Sequence, residues 1–195
     1  MTILLSMAAF ALAASISPGP VNLVALSAGA QHGLRAGMRH VTGATFGFTV
    51  LLLLTGLGLH ELLARLPYLT AVIQWAGVAF LLFMAYKLAA DDGRLGMDKP
   101  AQPPSLLYGA VMQWLNPKAW LAALAGMGAY AANGDAAQVW TFTAIYFVIC
   151  YISLASWAYA GAFLRPYLQE PQRIRLFNRL MAVLLAASAA FLLLA

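Results

Sequence analysis

Charge is scarce in this chain. Asp, Glu, Lys and Arg together make up 9% of its 195 residues, while 63% are hydrophobic. A water-soluble domain carries roughly 25% charged residues. Too little polar surface is left to wrap a globule in water, and the mean hydropathy of +0.81 makes a bilayer the expected solvent. Cysteine is nearly absent too. Cys150 stands alone, which excludes an internal disulfide, a cysteine-built zinc site and a membrane thiol–disulfide carrier; it reads as a small apolar residue inside a helix. The acidic residues, Glu61, Asp91, Asp92, Asp98, Asp135 and Glu170, lie in loops or at the ends of apolar segments, and no histidine falls in mid-segment. An intramembrane enzyme needs a nucleophile with its base, a carboxylate pair or a metal cluster, and a metal exporter needs His, Cys or acidic ligands. Neither is offered, so no metal, no cofactor and no catalytic residue is expected. The net charge of +5 comes from scattered Lys and Arg without a basic run, which argues against nucleic acid as a partner. Period-two alternation is missing as well, against an outer-membrane barrel.

Long apolar runs are abundant instead. Segments near 2–30, 38–60, 66–90, 105–131, 137–162 and 174–195 each reach the length of about 20 residues that a spanning helix needs. No Lys or Arg precedes the first run, the earliest being Arg35. Although that run contains Ala13-Ala14-Ser15, it is expected to be a retained helix and not a signal peptide. The fold expected is all-α and polytopic: one transmembrane domain over 1–195 with six helices. The polar stretch 91–104 would be a cytoplasmic linker between three-helix repeats at 1–90 and 105–195. Basic residues orient it. Loops one, three and five hold Arg35, Arg39, Lys87, Arg94, Lys99, Arg165, Arg173, Arg175 and Arg179, against Arg65 alone on the other side. Positive charge stays in the cytoplasm, so an inner-membrane protein with both termini on the periplasmic side follows.

Two of the six segments carry proline in their middle, at corresponding places. One reads Ser15-Ile16-Ser17-Pro18-Gly19-Pro20-Val21-Asn22, the other Gln113-Trp114-Leu115-Asn116-Pro117-Lys118-Ala119. Superimposing Pro18 on Pro117 maps span two onto span five and displaces the third pair by several residues. With three spans per half, that is the signature of an inverted repeat. Proline removes a backbone donor, clashes with the turn before it and pushes the preceding residue out of the helical region. Helix one should therefore end near Ile16 and restart near Pro20, with helix four interrupted likewise at Pro117. Freed backbone groups cannot face lipid, and paired interruptions in two halves are the sequence pointer to a transporter's binding site. Each restarting helix presents an N-terminal anion site. Lys118 is the one ionisable side chain well inside a span, where a lysine costs about 2.5–3.5 kcal/mol, so it should face the interior. The substrate-binding residues expected are Ser17, Pro18, Gly19, Pro20, Asn22, Gln113, Asn116, Pro117 and Lys118. Gly43 and Gly47, with Gly56 and Gly58, read as a packing face. Trp75, Trp114, Trp120 and Tyr86 read as packing or interfacial aromatics.

These motifs together resemble the amino-acid exporter family named after the lysine exporter, in its homoserine/threonine exporter branch. The resemblance is carried by Ser17-Pro18-Gly19-Pro20-Val21-Asn22-Leu23, Gly33-Leu34-Arg35-Ala36-Gly37, Gly43-Ala44-Thr45-Phe46-Gly47, Gly77 with Tyr86-Lys87, and Asn116-Pro117-Lys118-Ala119. Ala25-Leu26-Ser27, His32-Gly33, Gly47-Phe48 and Trp75-Ala76-Gly77 are most similar to the cysteine/O-acetylserine subgroup. The chain departs from many members in placing Val21 between Pro-Gly-Pro and Asn22. The resemblance implies secondary export of amino acids or related metabolites, driven by the proton motive force.

The expected mechanism places a zwitterion between the broken helices. Its carboxylate would meet the N-termini after Pro20 and Pro117 with help from Lys118. Its ammonium would meet the unwound carbonyls near Ser15–Ser17 and Leu115–Asn116. The partners expected are the small-molecule substrate, membrane lipid and protons as the coupling ion; the proton carrier is either Lys118 or the substrate itself. A homodimer is allowed by the sequence and not required by it. The competing readings are an accessory or structural membrane subunit and an exporter of a solute that is not an amino acid.

Overall fold

The computed structural model describes residues 2–59, 104–131, 135–168 and 170–194, with scattered positions between 68 and 90. Seven α-helices are delimited among the described residues: α1 Thr2–Ile16, α2 Pro20–His32, α3 Leu34–Leu54, α4 Leu106–Trp114, α5 Pro117–Tyr130, α6 Ala136–Leu164 and α7 Pro171–Leu194. Most of the span expected at 66–90, and the linker expected at 91–104, fall outside the described residues. Two helices taken with the turns that follow them, Leu34–Gly58 and Ala136–Leu168, are long and apolar enough to cross a membrane. The pair α1–α2, bent by 61° at its break, meets the same test when its two helices are taken together. No strand occurs among the described residues.

The breaks fall where the prolines dictate. Helix α1 ends at Ile16 and α2 begins at Pro20; α4 ends at Trp114 and α5 begins at Pro117. Pro20 and Pro117 each occupy the first turn of the restarting helix, where the missing N–H is no loss.

Helix α6 is apolar on every side, so hydrophobicity alone does not choose its inner face. Its neighbours do. Val139, Phe142, Thr143, Tyr146, Cys150, Ser153, Leu154, Ala158 and Gly161 are buried, while Trp140, Val148, Ile152, Tyr159 and Phe163 are exposed. Both faces mix bulky and small residues, and Thr141 and Ser156 lie on the exposed one.

Small residues let the backbones close up. Gly161 on α6 lies against the Leu26 carbonyl, and Gly29 on α2 against the Ala158 carbonyl. On the other side of the bundle Gly43 abuts the Leu106 carbonyl, Gly47 the backbone of Ala110, and Gly109 the His40 carbonyl. A side chain at any of these would collide with backbone, so α2–α6 and α3–α4 are contacts only glycine permits. The packing role read for Gly43 and Gly47 is what they have. Gly56 packs on Val139 and Met127, whereas Gly58 has open space around it.

Gly33 joins α2 to α3 at φ 84°, a conformation that costs glycine nothing. The Arg165 guanidinium lies 2.8 Å from where its Cβ would be. The turn before Arg35 and Arg39 and the segment starting at Arg165 therefore share one end of the bundle.

Candidate functional site

The two breaks meet. Lys118, second residue of α5, sends its Nζ across to the first break, where it donates to the Ser17 carbonyl at 2.7 Å, the Ser17 hydroxyl at 2.8 Å and the Pro18 carbonyl at 3.3 Å. Its stem runs along Gly19, where an added Cβ would lie 3.1 Å from Lys118 Cδ and 3.2 Å from Nζ. Gly19 is extended, at φ −167° and ψ 173°, a conformation any residue adopts. A Cβ here would press on the Lys118 side chain, which would have to shift slightly.

Unwinding α1 frees carbonyls that lipid cannot satisfy, and each has a donor. Ala14 O accepts from the Ser17 hydroxyl at 3.2 Å and Ser15 O from Asn22 Nδ2 at 2.8 Å. Ile16 O accepts from Trp157 Nε1 at 3.1 Å. Ser17 O and Pro18 O accept from Lys118. The carbonyls of Ala14, Ser15 and Ile16 end α1, whose partial negative charge favours a cation, and those of Ser17 and Pro18 follow directly after it. Three of the five depend on side chains from α5 and α6.

The second break is satisfied at home. The Asn116 side chain caps α5, its Oδ1 accepting from Lys118 N at 3.2 Å, while its Nδ2 donates to Gln113 Oε1 at 3.4 Å. Asn116 O accepts from Ala119 N at 2.9 Å, and Asn116 N donates to Gln113 O at 3.2 Å. Trp120 Nε1 donates to Trp114 O at 2.8 Å. Apart from the Lys118 side chain, the segment also reaches out from Trp114 Nε1 to Gly47 O at 3.2 Å.

Between the breaks lies a cavity of about 30 Å³ bordered by Ser15, Asn22, Phe48, Gln113, Asn116, Lys118, Tyr146 and Cys150, among others. That is room for a water or two, far less than an amino acid occupies. Beside it, toward the α5 C-terminus, aromatic rings pack together. Phe48 and Tyr146 lie 4.6 Å apart, Tyr146 and Phe142 5.6 Å, and Phe142 and Tyr130 5.0 Å. Phe10 of α1 adds a ring to the cluster, 6.0 Å from Tyr130. A larger cavity of about 450 Å³ lies elsewhere, between the end of α2 and the start of α7, bordered by Gln31, Arg165 and Phe177. None of the residues expected to bind substrate borders it.

All nine expected residues therefore cluster at the two breaks, and Asn22, Gln113, Asn116 and Lys118 border one cavity. Two features differ from expectation. The Lys118 ammonium sits on the Ser17 carbonyl, one of those assigned to a substrate ammonium, and on its neighbour Pro18 O, because its chain is long enough to reach the opposite helix end. The α5 N-terminus is partly taken as well, by the Asn116 cap. Three other residues at the breaks escaped the sequence reading: Trp157, Tyr146 and Phe48. An indole N–H inside a span needs an acceptor, and that was the one available signal for Trp157. The expectation of no mid-span histidine needs one amendment. His40 is fully buried within α3, its ring 6.0 Å from that of Tyr108.

Comparison with known proteins agrees with this architecture. The family model described as LysE type translocator matches residues 12–195. Among curated proteins, the cysteine/O-acetylserine efflux protein of Escherichia coli (strain K12) is 27% identical over 190 residues, covering 93% of this chain and 94% of the relative. The protein of the same name from Salmonella typhimurium (strain LT2) is 27% identical over 154 residues, 78% of each chain. That from Klebsiella pneumoniae subsp. pneumoniae is 25% identical over 162 residues, 82% of each. No solved structure matches.

Proposed function

The chain belongs to the LysE-type translocator family, and on that premise we propose that it is a secondary exporter of amino acids or their close derivatives across the cytoplasmic membrane. Such a protein is a transporter and not an enzyme. In this reading the substrate binds at the cavity between the breaks, and the proton motive force drives export. The relatives named for cysteine and O-acetylserine efflux put small polar amino acids first among candidate substrates.

One observation carries the reading. Two interrupted helices bring their freed backbone ends, a half-buried lysine and three buried side-chain amides together at one place. A structural subunit has no use for a cation held there by backbone carbonyls. The residues we assign to the site are Ser17, Pro18, Gly19, Pro20, Asn22, Gln113, Asn116, Pro117 and Lys118. Around it we propose six spans in two inverted halves, 1–90 and 105–195, joined by a cytoplasmic linker over 91–104, with both termini on the outer side. The shared end of Gly33 and Arg165 supports that orientation, since it gathers Arg35, Arg39 and Arg165 on one face of the membrane.

The space between the breaks is too small for substrate as it stands, so binding requires it to widen. Transport requires the halves to part at the Lys118 contact, opening the site to one face and then the other. The test is efflux from cells preloaded with cysteine, O-acetylserine, homoserine, threonine, leucine or lysine, with and without an uncoupler. Uncoupler-sensitive efflux of at least one compound, lost in Lys118→Met, is the expected result. No efflux of any of them, from protein shown to be in the membrane, would overturn the reading in favour of another solute or an accessory role.

A further inference from the structure

The groups around Lys118 Nζ are what any primary ammonium would choose: two backbone carbonyls and a hydroxyl directly after the C-terminal end of a helix. Nothing in that set is particular to lysine. The helix-end field favours a cation whatever chain it hangs from, and N–H donors on a charged nitrogen make the stronger class of hydrogen bond. Only Lys118's own attachment to α5 decides that it is the occupant.

We propose that the Ser17 carbonyl, the Ser17 hydroxyl and the Pro18 carbonyl form a subsite for a primary ammonium group, that Lys118 fills it before substrate binds, and that the ammonium of an incoming substrate takes it by displacing Lys118. This rests on the exporter reading and deepens it.

The exchange has three physical merits. One ammonium replaces another, so the charge at the end of α1 is unchanged and Ser17 O and Pro18 O are never left without a donor in a water-poor site. Withdrawal of the lysine side chain enlarges a cavity that now has room for only a water or two. And the released Lys118 ammonium is free to pair with the carboxylate of the same substrate. A zwitterion thus satisfies both ends of the exchange, whereas an amine alone leaves Lys118 unpaired and an acid alone cannot begin it. Because Lys118 bridges α5 to the α1–α2 break, its displacement also removes a tie between the two halves at the moment substrate arrives.

The test reads whether Lys118 is held or free. The chain has three lysines, Lys87, Lys99 and Lys118. A brief exposure of the purified full-length protein to an acetylating reagent, followed by mass spectrometry, gives the ratio of Lys118 labelling to that of Lys87 and Lys99 in the same molecules. The ratio cancels reagent consumed by added amine. Methylammonium is the probe and tetramethylammonium at equal concentration is the control, since it has the charge and no N–H donor. If the subsite holds Lys118 about nine-tenths of the time, half-saturating methylammonium should raise the ratio about fivefold. Tetramethylammonium should leave it where it was. Ser17→Ala, which removes one of the three acceptors, should raise the ratio with no probe added. A ratio unmoved or lowered by methylammonium, an equal rise with tetramethylammonium, or a Ser17→Ala protein identical to the parent would each overturn the exchange. The efflux experiment fails independently. Absent efflux with a rising ratio removes the exporter and leaves the exchange; efflux with a flat ratio does the reverse.

Discussion

The two breaks look alike in sequence and are built differently. The first spans residues 17–19 between α1 and α2, and its freed carbonyls at positions 16, 17 and 18 take their donors from Trp157 and Lys118, remote in the chain. The second spans residues 115–116 and closes on itself through Asn116, Gln113 and Trp120. Their surroundings differ in the same direction. Every residue from Pro20 to Ala30 of α2 is buried, whereas α5 buries Ala119, Ala123, Gly126 and Met127 and exposes Leu121 and Leu124. A break satisfied locally keeps its shape whatever its neighbours do. A break satisfied by the other half of the protein keeps its shape only while the halves are together. The second is the platform and the first is the part that responds.

That contrast can be broken in four places, in falling order of effect. Lys118→Met strips both Ser17 O and Pro18 O of their donor and should reduce efflux to background at unchanged membrane levels. Persistent export would mean the first break does not need the second half. Gly19→Val comes next. Its side chain would fill the space of the Lys118 stem, so efflux should fall severalfold while the helix, already extended at this point, stays intact by circular dichroism. Trp157→Phe leaves Ile16 O unpaired and should lower stability in detergent by about 1–3 kcal/mol, the cost of a stranded polar group, seen as a lower unfolding temperature. Asn116→Ala removes a helix cap and should cost about 0.5–2 kcal/mol in the same measurement. If Asn116→Ala destabilises more than Trp157→Phe, the assignment of platform and responding part is inverted.

Much of this was legible in the residues because it depends on neighbours in the chain. Pro18-Gly19-Pro20 fixes the end of α1 at Ile16 and the start of α2 at Pro20, and Asn116-Pro117 fixes the start of α5. The glycines at 43 and 47 announce a close contact without naming its partner, which is α4. Composition places Lys118 in the interior, since lipid would not accept it. What could not be read is direction. Whether Lys118 turns toward a substrate carboxylate or toward the opposite helix end depends on the distance between two segments about a hundred residues apart, and no local pattern encodes it. The same holds for Trp157, one aromatic among many until Ile16 O is found beside it. The asymmetry between α2 and α5 was hidden for a related reason: both are mainly apolar, with no distinct polar face, so burial is decided by which neighbours arrive.

The accounting of carbonyls in the first break also bears on the order of synthesis. Ile16, Ser17 and Pro18 leave the ribosome long before Lys118 and Trp157 exist. Until those residues follow, the broken segment has three acceptors and none of their eventual donors, in a solvent that supplies none. The amino-terminal half made alone should therefore be a poor resident of the bilayer, subject to quality control, and should persist when the carboxy-terminal half is produced beside it as a separate chain.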